Sequence, residues 1–354
     1  MSRVWTLAIT AVLGAALTGC STSDTGLPQG HLVVADFDGD GILDVATLAI
    51  YDGITVALAD GRGGFRVVEN HVSDLGQRMG VAADFDGDGR PDILYGAWAD
   101  DHFGIEARVG HGDGAGRFTV TQLAMDGLLL EDIVGTADVD ADGLMDAFVL
   151  VRPADPSRRQ ELRVLFGQRD RTMRLGPETN AKPAASTSEH NGAVLDANED
   201  GIPDVALLGN DVDVFLGKRD GTFGRQIRVG PRFESAFISE APVAGDFDGD
   251  GHVDLFASRL WLGDGSGSFR ASVVDPTPAS ASRSSTVVLD VDGDGRDEIA
   301  YCSFEDGNTS LVLLRFDGTK LDEQSWSLSD SSEIAAYGSA VAVAGETVSI
   351  HTFD

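Results

Sequence analysis

A nine-residue pattern, Asp-x-Asp-x-Asp-Gly-x-x-Asp, returns in six copies along the 354-residue chain. The copies lie in ADFDGDGILDV (35–45), ADFDGDGRPDI (83–93), ADVDADGLMDA (137–147), LDANEDGIPDV (195–205), GDFDGDGHVDL (245–255) and LDVDGDGRDEI (289–299). Their first acids are separated by 48, 54, 58, 50 and 44 residues. A chain with that period is an array of one supersecondary unit, which excludes most single-core folds at once.

The spacing has a chemical reason. A hard cation such as Ca²⁺ takes about six to eight oxygens at about 2.3–2.6 Å, and alternate residues of a tight loop can aim carboxylates at one centre. By analogy with the EF-hand loop, positions 1, 3 and 5 supply side chains, position 7 a backbone carbonyl and position 9 closes the site, with Gly at position 6 for the turn. The expected ligands of the first loop are Asp36, Asp38, Asp40 and Asp44, with the carbonyl of Ile42. The next two loops offer Asp84, Asp86, Asp88 and Asp92, then Asp138, Asp140, Asp142 and Asp146. The last three offer Asp196, Asn198, Asp200 and Asp204; Asp246, Asp248, Asp250 and Asp254; and Asp290, Asp292, Asp294 and Glu298. Asn198 lowers the charge of the fourth loop, which is expected to be the weakest site, and Glu298 has the reach to be bidentate. Metal-free Asp turns are the competing reading for one copy, and six copies in register weigh against it.

The flanks separate this array from EF-hands, whose loops sit between amphipathic helices. Here HLVVADF, RMGVAADF and APVAGDF precede the loops, and LDVATLAI, PDILYGAW and PDVALLG follow them. Such short apolar, β-branched runs predict strands on both sides. A second signal follows in each unit: ALADGRGGF (57–65), VGHGDGAGRF (109–118), VFLGKRDGTF (214–223) and WLGDGSGSF (261–269), with weaker forms in VLFGQRDRTM (164–173) and LLRFDGTKL (313–321). No Gly-Lys-Ser/Thr accompanies these glycines, so they read as hairpin turns and not as phosphate loops. The chain's 44 glycines suit that many turns.

Each unit is thus strand, Asp loop, strand, connection, strand, Gly-rich turn, strand. Units of four strands cannot bury both faces alone, and radial arrangement solves the edge problem. The array resembles the FG-GAP/VCBS repeat of integrin-like propellers over roughly residues 30–330. The resemblance implies an all-β propeller of four-stranded blades in which the Asp loops join strands 1 and 2 and bind about six structural calcium ions. After the sixth loop, residues 334–354 hold AVAVAGE and TVSIHTF without an Asp loop. They read as a degenerate seventh blade or as closure strands for a sixth; 335 residues beyond position 19, divided by seven, match the intervals better. Seven blades are therefore expected, with six as the alternative.

Residues 1–19 carry Arg3, the apolar run VWTLAITAVLGAAL and the ending Leu17-Thr18-Gly19, followed by Cys20. A run of fourteen is short of the ~20 residues that span a bilayer and suits a signal peptide. The Leu-x-Gly-Cys ending resembles a bacterial lipobox, which implies lipidation at Cys20 and an outer-membrane or cell-surface location in the envelope; an ordinary secretory peptide is the competing reading. Residues 20–30 are expected to be the lipidated Cys and a flexible tether, and 31–354 the propeller. With Cys20 lipidated no second cysteine is left for a disulfide, and Cys302 is expected to be a small buried hydrophobe.

A formal charge of −32 argues against a nucleic-acid partner. Of 58 acids, 23 occupy predicted ligand positions. Residues 152–174 reverse the trend with seven Arg against three acids. On the face opposite the Asp loops the long 2–3 connections are AWADDHFG (97–104) and RPADPSRRQ (152–160), and the connection GPETNAKPAASTSEHNG (176–192) is expected to return there too. Trp98, His102, Arg158, Arg159 and His190 are candidates there for an anionic, protein or carbohydrate partner; pairing of the arginines with neighbouring acids is the alternative. No catalytic residue is assigned: no His-Glu-x-x-His and no Gly-x-Ser-x-Gly occurs. The expected function is a calcium-binding, lipid-anchored, monomeric binding, adhesion or scaffold module. A polysaccharide lyase-like enzyme or a lectin on the same propeller is the alternative.

Overall fold

The computed structural model describes residues 21–28, 30–49, 53–70, 75–99, 104–153, 160–181, 192–209, 211–231, 241–257, 259–273, 282–305, 308–328, 333–344 and 347–353. Cys20, His102, Arg158, Arg159 and His190 lie outside the described residues.

The N-terminal strand β1 (Ser21–Pro28) precedes blade 1, which is β2 (His31–Ala35), β3 (Asp44–Ala49), β4 (Gly53–Ala59) and β5 (Phe65–Asn70). Blade 2 is β6 (Leu75–Ala83), β7 (Asp92–Trp98), β8 (Ile105–Gly112) and β9 (Phe118–Gln122). Blade 3 follows as β10 (Leu128–Ala137), β11 (Asp146–Pro153), β12 (Glu161–Gly167) and β13 (Met173–Leu175). Blade 4 is β14 (Gly192–Leu195), β15 (Asp204–Leu208), β16 (Asp211–Gly217) and β17 (Phe223–Pro231). The fifth comprises β18 (Val243–Gly245), β19 (Asp254–Phe256), β20 (Leu260–Gly263) and β21 (Phe269–Ala271). The sixth comprises β22 (Ser282–Leu289), β23 (Glu298–Glu305), β24 (Asn308–Phe316) and β25 (Leu321–Leu328). The chain ends with β26 (Glu333–Tyr337), β27 (Ala340–Ala344) and β28 (Thr347–Thr352).

Each of the first six blades is an antiparallel meander, and the seventh has the order β26, β27, β28, β1. The Asp loops fall between strands 1 and 2 of blades 1 to 6, as expected. Blade 7 turns instead through Gly338, whose φ of +61° suits a tight hairpin.

Residues 21–28 correct the expected tether. They form the outer strand of blade 7, with Ser21 opposite Thr352 and Asp24 opposite Ser349. STSDTGLP has the composition of a loop, but β28 would otherwise present an unpaired edge, and pairing satisfies it. Thr25 and Leu27, two residues apart, are 3% and 0% exposed, so one face of the strand is core. The ring is closed by joining the two ends of the chain in one sheet.

Burial explains the apolar runs. In blade 1, β3 and β4 are buried at every position, because each face of a blade packs on a neighbouring blade, whereas the outer strand β5 is largely exposed. The cores accordingly lie between blades. Val56 of blade 1 clusters with Ile93 and Tyr95 of blade 2, Leu195 of blade 4 with Leu255 of blade 5, and Cys302 of blade 6 with Val341 of blade 7. Leu27 and Ile350 of blade 7 meet Val45 and Ala57 of blade 1, which closes the circle. Cys302 is fully buried, in line with its reading as a small hydrophobe.

Candidate metal centre

The six Asp loops share a common scaffold. In the first, Asp36 Oδ1 accepts the N–H groups of Gly39 and Asp40 at 2.7 and 3.1 Å, and Oδ2 accepts that of Gly41 at 2.9 Å. The first Asp of every other loop binds the position 6 N–H through its Oδ2 in the same way, at Gly89, Gly143, Gly201, Gly251 and Gly295. This bend needs left-handed backbone at positions 4 and 6. Gly39 and Gly41 supply it at φ +76° and +86°, while loops 3 and 4 hold Ala141 (+62°) and Glu199 (+57°) at position 4.

The bend gathers carboxylates. One oxygen from each of Asp36, Asp38 and Asp40 lies within 4.8 Å of the others, and the same holds for Asp84, Asp86 and Asp88, and for Asp246, Asp248 and Asp250. In loop 3 the group is Asp138, Asp140 and Asp146, which includes the ninth residue. Loop 4 uses Asn198 differently: its Nδ2 donates to Asp200 Oδ2 at 3.0 Å. In loop 6, Asp290 cradles Gly293 and Gly295, and Asp292 and Asp294 line a cleft with Glu298 and Arg315.

The donors fit a hard cation. Asp38 Oδ1 is buried without a hydrogen-bond partner, and Asp86 Oδ2 is buried with the Arg171 guanidinium at 3.2 Å. Burial first, then neighbouring carboxylates, push the pKa of Asp86, Asp140 and Asp248 upward. These position 3 side chains sit among like charges with part of their hydration removed, Asp86 having Arg171 as a partial counterpart, and a divalent ion would balance the excess.

The ninth residue does a second job that its spacing does not reveal. Asp44 is fully buried; its Oδ2 accepts Phe37 N–H at 2.8 Å and its Oδ1 accepts Ala59 N–H at 2.7 Å, where the Gly-rich turn begins. Asp92, Asp146, Asp204 and Asp254 repeat this with Gly112, Gly167, Gly217 and Gly263. The ninth carboxylate therefore fastens the Asp loop to the 3–4 turn of its own blade, so both lie on one face. Glu298 reaches further: Oε2 accepts Val291 N–H, and Oε1 meets the Arg315 side chain at 3.3 Å in place of a backbone donor.

Burial raises the pKa of Asp44, Asp146, Asp204 and Asp254 to about 7, against the opposing pull of their backbone donors. Because the folded pKa exceeds the unfolded value near 3.9, the folded state holds these protons more tightly. Stability from these four groups is thus complete below the unfolded pKa and lost as pH rises through about 7. In excess chelator, the melting temperature should be lower at about pH 8 than at about pH 6; calcium, which favours the ionised form, should shrink or reverse that difference. Circular-dichroism melts at the two pH values check it.

Sequence reasoning missed a further acid in each 3–4 turn. Asp60, Asp113, Asp170, Asp220, Asp264 and Asp317 each accept the N–H two residues on, the Asx geometry that fixes such turns. Backbone or side-chain hydrogen bonds hold the Asp60, Asp220, Asp264 and Asp317 carboxyls below the usual range. The recurrence of Asp ahead of each turn was the signal.

Trp98 is 38% exposed at the end of β7 far from its loop, on the expected opposite face. The described arginines of 152–174 divide between the two ends of blade 3. Arg152 pairs with Glu131 on adjoining strands. Arg171 instead reaches the Asp loop of blade 2, at 3.2 Å from Asp86 Oδ2 and 3.1 Å from Asp88 Oδ2.

Blade 2 also holds a histidine at this centre. His111 is 3% exposed, and its Nδ1 stands 3.5 Å from Asp86 Oδ2 and 3.6 Å from Asp92 Oδ1. Burial pushes its pKa down, but the Asp92 and Asp86 carboxylates outweigh that and the net direction is up.

The FG-GAP-like repeat family matches residues 36–95 and 196–257, and each match opens on the first Asp of a loop. No curated protein matches the chain. Among solved structures, BBS1N in complex with ARL6DN aligns with a TM-score of 0.58 at 10% identity, over 94% of this chain and 96% of that one. The exotype rhamnogalacturonan lyase YesX aligns at 0.52 with 14% identity, over 94% and 72% respectively. Bacillus licheniformis rhamnogalacturonan lyase PL11 gives 0.50 at 12% identity with the same coverage, 94% and 72%. At such identities the likeness is one of fold.

Proposed function

We propose that this propeller of FG-GAP-like repeats is a calcium-loaded binding, adhesion or scaffold module, anchored in the bacterial cell envelope through a lipidated Cys20. The observation that carries the reading is the repeated gathering of three carboxylates on one face, with Asp38 Oδ1 buried and lacking a hydrogen-bond partner. About six structural Ca²⁺ ions would answer that charge and pin strand 1 of each blade to strand 2. The Leu-Thr-Gly-Cys sequence at 17–20 supports the anchor. Since β1 begins at Ser21, an acylated Cys20 would hold blade 7 against the membrane surface.

The opposite face, where Trp98 is exposed, is the surface offered to a protein or carbohydrate partner. A lyase on the same ring is the second reading, and it rests on the two rhamnogalacturonan lyases that share the fold. One experiment separates them: the calcium-loaded protein is applied to a glycan array and incubated with pectic polysaccharide. Saturable binding weakened by Trp98→Ala, without growth of unsaturated-sugar absorbance, is the expected result. Steady growth of that absorbance would replace the binding module with the enzyme.

A further inference from the structure

The loop of blade 2 differs from the other five in what stands behind it. The residue just before the N–H that caps the ninth carboxylate is Leu58 in blade 1, Phe166 in blade 3, Leu216 in blade 4 and Leu262 in blade 5. Blade 6 places Arg315 there, directly on Glu298. Blade 2 places His111, which is 3% exposed and turns Nδ1 toward the buried carboxylates of Asp86 and Asp92 without a hydrogen bond of normal length to either. An imidazole enclosed in that way costs stability unless something accepts its lone pair or its proton.

The surroundings supply a destination. One atom each of Asp86, Asp92 and His111 lies within 4.8 Å of the others, and all three residues are buried. The two separations from His111 Nδ1, 3.5 and 3.6 Å, are too long for hydrogen bonds. They match the edges of a tetrahedron, about 3.3–3.6 Å, drawn around an ion at the ~2.0–2.2 Å bond lengths of zinc to nitrogen and oxygen. Calcium is an oxygen-seeking ion, and an imidazole among the donors moves preference toward zinc and its first-row neighbours.

We propose that the loop of blade 2 is a mixed nitrogen and oxygen site that takes Zn²⁺ through Asp86, Asp92 and His111. This deepens the calcium reading for one loop and stands apart from it for the other five. Arg171 is the competitor in the apo state, since its guanidinium occupies the same oxygen of Asp86. That side chain is 51% exposed, which leaves it free to swing off when an ion enters. Asp92 would keep its two backbone N–H partners, because each carboxylate oxygen has a second lone pair.

The test uses the full folded chain, stripped with chelator and returned to buffer saturated with calcium. Cobalt(II) then serves as a spectroscopic stand-in for zinc. One Co²⁺ per chain should bind with the strong visible bands of four-coordinate cobalt, be displaced by an equivalent of Zn²⁺ and survive millimolar Ca²⁺. His111→Leu, which copies the residue of blade 1, should weaken cobalt binding by more than about 100-fold, beyond the 10–100-fold that loss of a merely supporting residue costs. His111→Gln should do the same, and guards against a leucine that disturbs packing. Equal cobalt affinity in wild type and both variants would overturn the proposal, as would displacement of the cobalt by calcium. Calcium stoichiometry in the same samples keeps the two readings apart: if no loop takes calcium, that reading fails while the cobalt result still judges this one.

Discussion

If the Asp loops hold calcium as proposed, its removal should lower the melting temperature of the propeller by roughly 10–20 °C. The size follows from linkage: sites with dissociation constants on the order of 10⁻⁴–10⁻³ M, held at about 10 mM Ca²⁺, each contribute about 1.4–2.7 kcal/mol. Six such loops add up to roughly 8–16 kcal/mol, against an unfolding entropy on the order of 0.7 kcal/mol/K for a chain of this length. The physical source is on the loops themselves. Without an ion, Asp86, Asp140 and Asp248 sit among like charges with part of their hydration removed. Differential scanning calorimetry in excess chelator and after calcium is restored reads the effect. A curve that does not move between the two would contradict it.

Asp44→Ala should destabilise the chain by about 3–5 kcal/mol in chelator, and in calcium by that amount plus the calcium increment of its loop. Two buried donors, Phe37 N–H and Ala59 N–H, lose their acceptor together, and an unsatisfied buried N–H costs about 1–3 kcal/mol. Asp40→Asn is the matched comparison. Asp40 is exposed and keeps Ile42 N–H as its partner, which an amide oxygen can still accept. It should cost little in chelator and should remove most of the calcium increment of its loop, about 1–3 kcal/mol. Urea titrations of both variants in both buffers decide the matter. If Asp44→Ala were harmful only when calcium is present, the ninth residue would be a ligand alone and its structural role would fall.

The repeat made most of the architecture legible, because six Asp loops with apolar flanks leave few ways to arrange the strands between them. What escaped lay where local composition and tertiary demand disagree. STSDTGLP has nothing of a strand in it, and only the exposed edge of β28, contributed by the far end of the chain, makes it one. The double role of Asp44 was hidden because a ligand and a backbone fastener both call for Asp at position 9. Ala141 and Glu199 show that position 4 adopts the left-handed backbone whatever its residue, so the glycine usual there understates the rule. His111 sits in VGHGDG, where the eye follows the glycines; its meaning appears only when folding brings Asp86 and Asp92 to it.

The central claim is that these loops are cation sites, and ions bound per chain test it most directly. Native mass spectrometry of protein exchanged into millimolar calcium should show five or six Ca²⁺ on each chain, the sixth depending on whether blade 2 retains zinc. Asp40→Asn should reduce that number by one. A folded chain that carries no calcium at millimolar concentration would contradict the account.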